Sequence, residues 1–259
     1  MTGVQTCALP ILPNTVEKIT SISFKCIPVS NNGQLGNELK IEEIPIDLFI
    51  VLDQSPQKVM KKPRTDILEI ACEIAQGEQN PQKIKNLMTE GLYFYLPNKK
   101  GIIYTGDAHC IEIGSPTFTN NGNMEFCFKK VKDDKGGDCQ DFSCLLQLCC
   151  NSLGIKMMIC TIGRKSPTID KVFKTHRIKC LGRNEYAKLD FNIHQTGYEI
   201  TNYWGTTAVV YDPTCMFFAK PDFAKHLDRE YYFGHLVDYP QAQVEWFRPK
   251  QVVKMMDSL

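Results

Sequence analysis

Three residues in the second half of the chain have the types and order that nucleophilic acyl chemistry needs. They are Cys139 in "KGGDCQDFSCLLQLCC", His194 in "FNIHQTGYEI" and Asp212 in "VYDPTC". A thiol that attacks an amide needs a base to take its proton and a third group to orient that base. Cys139 stands behind Gly136-Gly137 and ahead of an apolar run, so it opens an expected helix. The free N–H groups and positive dipole end of a helix start favour thiolate, and the same N–H groups can receive an oxyanion. The two glycines let a substrate backbone come close. His194 falls in an alternating run, with Leu189, Phe191 and Ile193 on one face and Asn192, His194, Thr196 and Tyr198 on the other. Asp212 ends the next strand. If the two strands pair antiparallel through "TNYWG", positions 194 and 212 centre on 203 and are cross-strand neighbours, about 4.5–5.5 Å apart.

Each residue also has a plainer reading. Cys139 is one of 12 cysteines and can be a buried small hydrophobe. His194 can be a polar strand residue, and Asp212-Pro213 a turn. What sets the functional reading apart is the combination of Cys at a helix start, His within a strand and Asp at the end of the adjacent strand. Asp138, Gln140 and Asp141 flank the thiol. Carboxylates there raise a thiol pKa, so they read as caps and loop anchors rather than activators. The other histidines have no partner pattern: His109 adjoins Cys110 in a loop, and His226 and His235 sit in the tail. His176 precedes Cys180 by four residues, a ligand-like spacing, but no second pair completes a tetrahedral zinc set.

The elements that must position these groups are legible in outline. Residues 1–11, "MTGVQTCALPI", have no periodic pattern and resemble translated adapter read-through, so they are set aside as a non-native leader. Residues 12–55 read as a β segment, a hairpin or part of a sandwich, and the polar connector Gln54 to Asp66 separates it from a domain spanning 63–259. "DILEIACEIAQGE", capped by Asp66, and "PQKIKNLMTEGLYFYL", restarted at Asn80-Pro81, predict a helical hairpin. Pro97 to Asn123 reads as loop with short strands. Residues 139–153 form a helix with Phe142, Leu145, Leu146, Cys149, Cys150 and Leu153 as its stripe, ended by Gly154. "IKMMICTIG" follows as a buried strand, Arg164 to Asn184 as a basic loop, and the tail from Lys220 closes over the body.

The composition sets bounds. The chain has 259 residues, 43% hydrophobic, with a formal net charge of +1. It can bury a large core, and its charge calls for neither nucleic acid nor an anionic membrane as partner. No apolar stretch reaches the roughly 20 residues of a membrane helix. There is no paired CxxC unit, and a chain this size needs no disulfide framework, which favours reduced thiols and a reducing, cytoplasmic compartment.

The segment Asp66 to Phe217 resembles the transglutaminase-like, papain-related superfamily. The likeness is carried by "GDCQDFSCLLQLC", "LGIKMMICTIG", "FNIHQTGYEI" and "VYDPTC", with His194 55 residues after Cys139 and Asp212 18 after His194. The resemblance implies an α+β fold whose core packs a helix-borne Cys on an antiparallel sheet. It implies a Cys139-His194-Asp212 triad that works through a thioester on a protein or peptide substrate, with no metal or organic cofactor. The outcome is hydrolysis, deamidation or crosslinking. The oxyanion would rest on the Cys139 N–H and a side-chain donor, for which Trp204 is a candidate. The sequence departs from the family in running His194-Gln195-Thr196 where an aromatic residue often follows. The alternative implied is an inactive family member that binds protein or peptide in the same cleft.

Overall fold

The computed structural model describes residues 14–22, 25–26, 32–34, 36, 39–40, 44–52, 64–113, 123–164, 172–200, 208–217, 227–238, 244–246 and 251–255. The leader, residues 54–63 of the connector, the turn holding Trp204, and His226 lie outside them. The architecture is mixed α+β with largely antiparallel sheets.

Five α-helices are present among the described residues, α1 (Thr65–Ala75), α2 (Pro81–Tyr95), α3 (Phe128–Asp134), α4 (Cys139–Ser152) and α5 (Arg229–Leu236), and a π-helical turn, Leu96–Lys100, continues α2. The expected hairpin is α1 and α2. Asn80 caps α2 by accepting from the amides of Gln82 and Lys83, with Pro81 at the first helical position, where its missing N–H costs nothing. Asp66 does not cap α1. The cap position is Arg64, and Asp66 in the first turn pairs with Arg64 and Lys132. Helix α3 was not expected. Its stretch is strongly charged and buries only Phe128 and Val131, one turn apart, which is too short a stripe to mark a period.

Helix α4 is the centre of the fold. It is buried at Cys139 and at every position from Asp141 to Ser152, not on one stripe alone. Helices α1 and α2 pack on one side of it and the strand Ile193–Ile200 on the other. Its polar residues tie it to that strand and to Met157, just ahead of the neighbouring strand Met158–Arg164. Ser143 Oγ donates to the Gln195 carbonyl at 2.7 Å, Gln147 Nε2 donates to the Met157 carbonyl at 3.0 Å, and Asn151 Oδ1 accepts the Met157 amide at 3.0 Å. Buried polar side chains here fasten helix to sheet rather than face water.

The main sheet has five antiparallel strands in the order Leu227–Asp228, Ala208–Tyr211, Ile193–Ile200, Met158–Arg164, Val244–Trp246. The strand carrying His194 is therefore central. Gly197 is needed where α4 crosses it: a Cβ there would lie 2.6 Å from Leu146 Cδ2 and 3.0 Å from the Tyr211 carbonyl. The region read as a basic loop contains two short strands, Phe173–Lys174 and Ile178–Cys180, whose apolar residues join a second core under α5. The β segment is an added layer on the helices. Glu17–Ile22 pairs with Ile44–Ile50, Val16 enters the main core, and the Leu52 amide donates to the Leu153 carbonyl at 3.2 Å.

Candidate active site

His194 and Asp212 meet. Nε2 of His194 is 2.9 Å from Oδ2 of Asp212, and both side chains are fully buried. Asp212 is held as an acceptor from two further sides. The Tyr232 hydroxyl donates to Oδ2 at 2.7 Å and the Thr214 amide to Oδ1 at 2.8 Å. With both carboxylate oxygens accepting, Nε2 is the donor and Nδ1 is the bare nitrogen of the ring. Nδ1 has no hydrogen-bond partner among the described residues.

The expected register was off by two residues. The ladder pairs Gly197 with Tyr211 and Ile200 with Ala208, so continuing its count sets His194 opposite Thr214 and Asp212 opposite Thr196. The His–Asp contact is diagonal. The expected faces also need correction at Phe191. Its ring stacks on His194 with centroids 5.0 Å apart, because Asn192 breaks the run into Asp190–Phe191 and Ile193–Ile200 and resets the alternation.

Cys139 opens α4 as expected, and the flanking carboxylates are its cap. Asp138 Oδ1 accepts from the amides of Gln140 and Asp141, while Asp141 Oδ2 accepts from the Asp138 amide, a reciprocal capping box. The cap takes the amides of Gln140 and Asp141, not that of Cys139. Asp141 also accepts from the His109 amide at 2.9 Å. Burial and then the neighbouring Asp138 charge push the Asp141 carboxyl up to about 7.

The expectation of a stabilised thiolate is not met. Cys139 is 2% exposed, and burial, then the Asp138 carboxylate, push its thiol well above the usual range. The Gln195 amide directed at the sulfur acts in the opposite sense, and Asp212 adds to the rise. The dipole advantage of a helix start is outweighed by desolvation and by the cap's own charge. The sulfur lies 3.9 Å from the Ile193 carbonyl. It thus sits against the backbone on either side of His194, but its contact is with that backbone and not with Nδ1.

The two glycines have a role other than the one expected. The segment Ile103–Tyr104 pairs in parallel with Gly136–Gly137, and the Thr105 amide donates to the Gly137 carbonyl at 2.9 Å. A Cβ on Gly136 would stand 2.3 Å from Thr105 Cγ2, and one on Gly137 2.9 Å from Asp141 Oδ2. Gly136 admits the protein's own neighbouring strand, and Gly137 leaves room for the capping carboxylate of Asp141. Beside that strand lies a cleft of about 610 Å³ lined by residues that include Tyr104, Thr105, Cys180, Arg183 and Glu185. Cys139 is not among the residues that line this cleft.

Two sets of atoms have metal-ligand character and lie within 4.8 Å of one another: His194, Asp212 and Cys215, and Cys110, Asp138 and Asp141. In both, the carboxylate oxygens already accept the hydrogen bonds described above. His176 pairs with Asp238 and not with Cys180. The sequence reading missed Tyr232, Thr214 and the Gln195 amide. Tyr232 lies in the aromatic tail, where no spacing links it to Asp212. Two of the three are backbone groups, which residue type cannot reveal. No helix of the described residues is long and apolar enough to cross a membrane. No family model, curated protein or solved structure matches the chain.

Proposed function

We propose that the protein is a cysteine-dependent amide hydrolase or acyltransferase with a transglutaminase-like core, acting on protein or peptide substrates through a Cys139-His194-Asp212 triad. The observation that carries this reading is the fully buried His194–Asp212 pair, fixed by Tyr232 and Thr214, with Nδ1 unpartnered beside the strand on which the Cys139 sulfur rests. A buried imidazole nitrogen without a partner is costly unless it has a use.

The raised thiol selects the form of the chemistry. Cys139 rests as S–H, so His194 Nδ1 acts as a general base, taking the proton as sulfur attacks the amide carbonyl. The oxyanion is met by the Cys139 N–H, which the cap does not take. The imidazolium then protonates the leaving amine, the C–N bond breaks, and a thioester remains on Cys139. Water or a second amine attacks the thioester and gives its proton to His194, the C–S bond breaks, the acid or new amide leaves, and the departing thiolate takes the proton back. Asp212 stays the acceptor of the Nε2 hydrogen throughout. With 2% of Cys139 exposed, substrate must displace some of the structure around the thiol, and the Ile103–Thr105 segment paired with Gly136–Gly137 is the nearest candidate to move.

The test is incubation with glutamine-containing peptides, with and without a primary amine, followed by mass spectrometry of product and protein. Expected are ammonia or amine release and an acyl adduct on Cys139, both lost in Cys139→Ala. Absence of turnover and adduct over a broad peptide panel sinks the enzymatic reading. One observation favours a second reading, a binding module that keeps the fold: the sulfur contacts the Ile193 carbonyl rather than the imidazole. It predicts that Cys139→Ala retains full peptide affinity and that no adduct forms with any substrate.

A further inference from the structure

Cys180 and Cys215 face each other directly across the antiparallel pair of Ile178–Cys180 and Cys215–Phe217. The Leu181 amide donates to the Thr214 carbonyl at 2.8 Å, so 181/214 is a hydrogen-bonded pair and 180/215 a non-hydrogen-bonded one. At such positions opposite Cα atoms approach to about 4.5 Å, within the roughly 4.4–6.8 Å that disulfides span. The two sulfurs are 3.8 Å apart and both cysteines are free. Cys149 and Cys150, adjacent in α4, diverge by about 100° around the helix and cannot close this way.

One member of the pair lies against a cleft. Cys180, 3% exposed, is among the residues lining the cleft of about 610 Å³, whereas Cys215 is 0% exposed. Behind it, the Cys215 sulfur lies within 4.8 Å of ligand-type atoms of His194 and Asp212. One thiol faces an entry path, and its partner has proton acceptors at hand.

We propose that Cys180 and Cys215 are a dithiol that closes to a reversible disulfide when hydrogen peroxide enters the cleft. Cys180 sulfur attacks the peroxide oxygen, the O–O bond breaks, and a sulfenic acid forms with release of water. Cys215 gives up its proton, its sulfur attacks the sulfenic sulfur, the S–OH bond breaks, and a second water leaves. One H2O2 is reduced by two electrons and two thiols are oxidised to one disulfide. The bridge ties a wall of the cleft to the segment that follows Asp212. It does not depend on Cys139 being a nucleophile.

The test uses the reduced native chain treated with hydrogen peroxide, quenched with catalase, alkylated in denaturant, digested with trypsin and read by mass spectrometry. Cleavage after Lys179, Arg183 and Lys188 places each of the two cysteines in a peptide with no other cysteine. Expected is a peptide pair joined through Cys180 and Cys215, with two of the 12 thiols lost per chain and both recovered with dithiothreitol. Recovery of both peptides separately alkylated overturns the proposal, as does oxidation that joins other cysteines instead. In Cys215→Ser, Cys180 is expected to advance to sulfinic acid under the same treatment; a Cys180 product unchanged from the unsubstituted chain counts against Cys215 as its partner.

Discussion

His194 and Asp212 reach each other diagonally across two neighbouring strands, with Nε2 2.9 Å from Oδ2. Diagonal neighbours stand farther apart than facing ones, about 7–8 Å between Cα atoms. That separation suits a long imidazole and a carboxylate that must meet end to end. It also puts the Thr214 amide, two residues past Asp212, in position to hold the second carboxylate oxygen.

Asp212 accepts from three buried donors, on His194, Tyr232 and Thr214. Asp212→Ala orphans all three, at about 1–3 kcal/mol each. The expected loss is on the order of 3 kcal/mol or more of unfolding free energy, read by urea denaturation. Asp212→Asn keeps an acceptor for Thr214 but turns an NH2 toward Nε2, which forces the ring hydrogen onto Nδ1. It is expected to be markedly milder in stability and to abolish amide turnover all the same. Equal destabilisation by the two substitutions would show that the hydrogen bonds are not what holds this site.

Tyr232 comes from α5, far along the chain, and is fully buried. Tyr232→Phe removes one bond to a carboxylate without changing shape, and should cost about 1.5–3 kcal/mol. Tyr232 is a positioning residue, so the pH profile of turnover should shift as Asp212 loses a donor. A profile superimposable on that of the unsubstituted protein would confine Tyr232 to packing.

The Cys139 thiol is held well above its usual range by burial first and the Asp138 carboxylate second. Site-resolved iodoacetamide labelling of the native protein should therefore be slow at pH 7. It should rise about tenfold per pH unit, as the thiolate fraction of a high-pKa thiol does. Asp138→Asn should raise the rate at fixed pH by removing the nearby charge. A plateau below pH 8 would mean a preformed thiolate and an ion-pair mechanism.

The local signals near the site were legible because the residues that make them are adjacent in sequence. "GGDCQD" contains the whole capping box, and the alternation of "FNIHQTGYEI" sets a strand with His194 in it. What was not legible comes from elsewhere in the chain. The segment Ile103–Thr105 explains Gly136 and the Asp141 cap explains Gly137, yet nothing in Gly136-Gly137 distinguishes the protein's own groups from a substrate. Burial and the Asp138 charge raise the thiol, reversing the effect of helix position alone. The register depended on the turn between the strands, where two residues decide whether His194 and Asp212 face or cross. Helix α3 was hidden because charged residues on an exposed face carry no period, and only Phe128 and Val131 mark its inner side.

Asp141 connects stability to pH at the base of the site. Its carboxyl is pushed up to about 7 by burial first and by the Asp138 charge second, while it accepts the amides of His109 and Asp138. In the unfolded chain it titrates near 3.9. Between these values the folded state holds more protons than the unfolded state, so stability falls as pH rises through this window and levels off above about 7. The depressed carboxyls of Asp66, Glu69, Glu78, Asp133 and Asp238 act in the opposite sense, but below the ordinary carboxylate range and outside this window. Asp141→Asn removes the titration. The variant should be less stable overall, because a side chain with one acceptor oxygen replaces a carboxyl group both of whose oxygens accept. Its deficit relative to the unsubstituted protein should shrink by on the order of 1–2 kcal/mol between about pH 5 and pH 7. Urea denaturation curves at half-unit pH steps measure this, and parallel stability profiles for the two proteins would remove Asp141 as the titrating group.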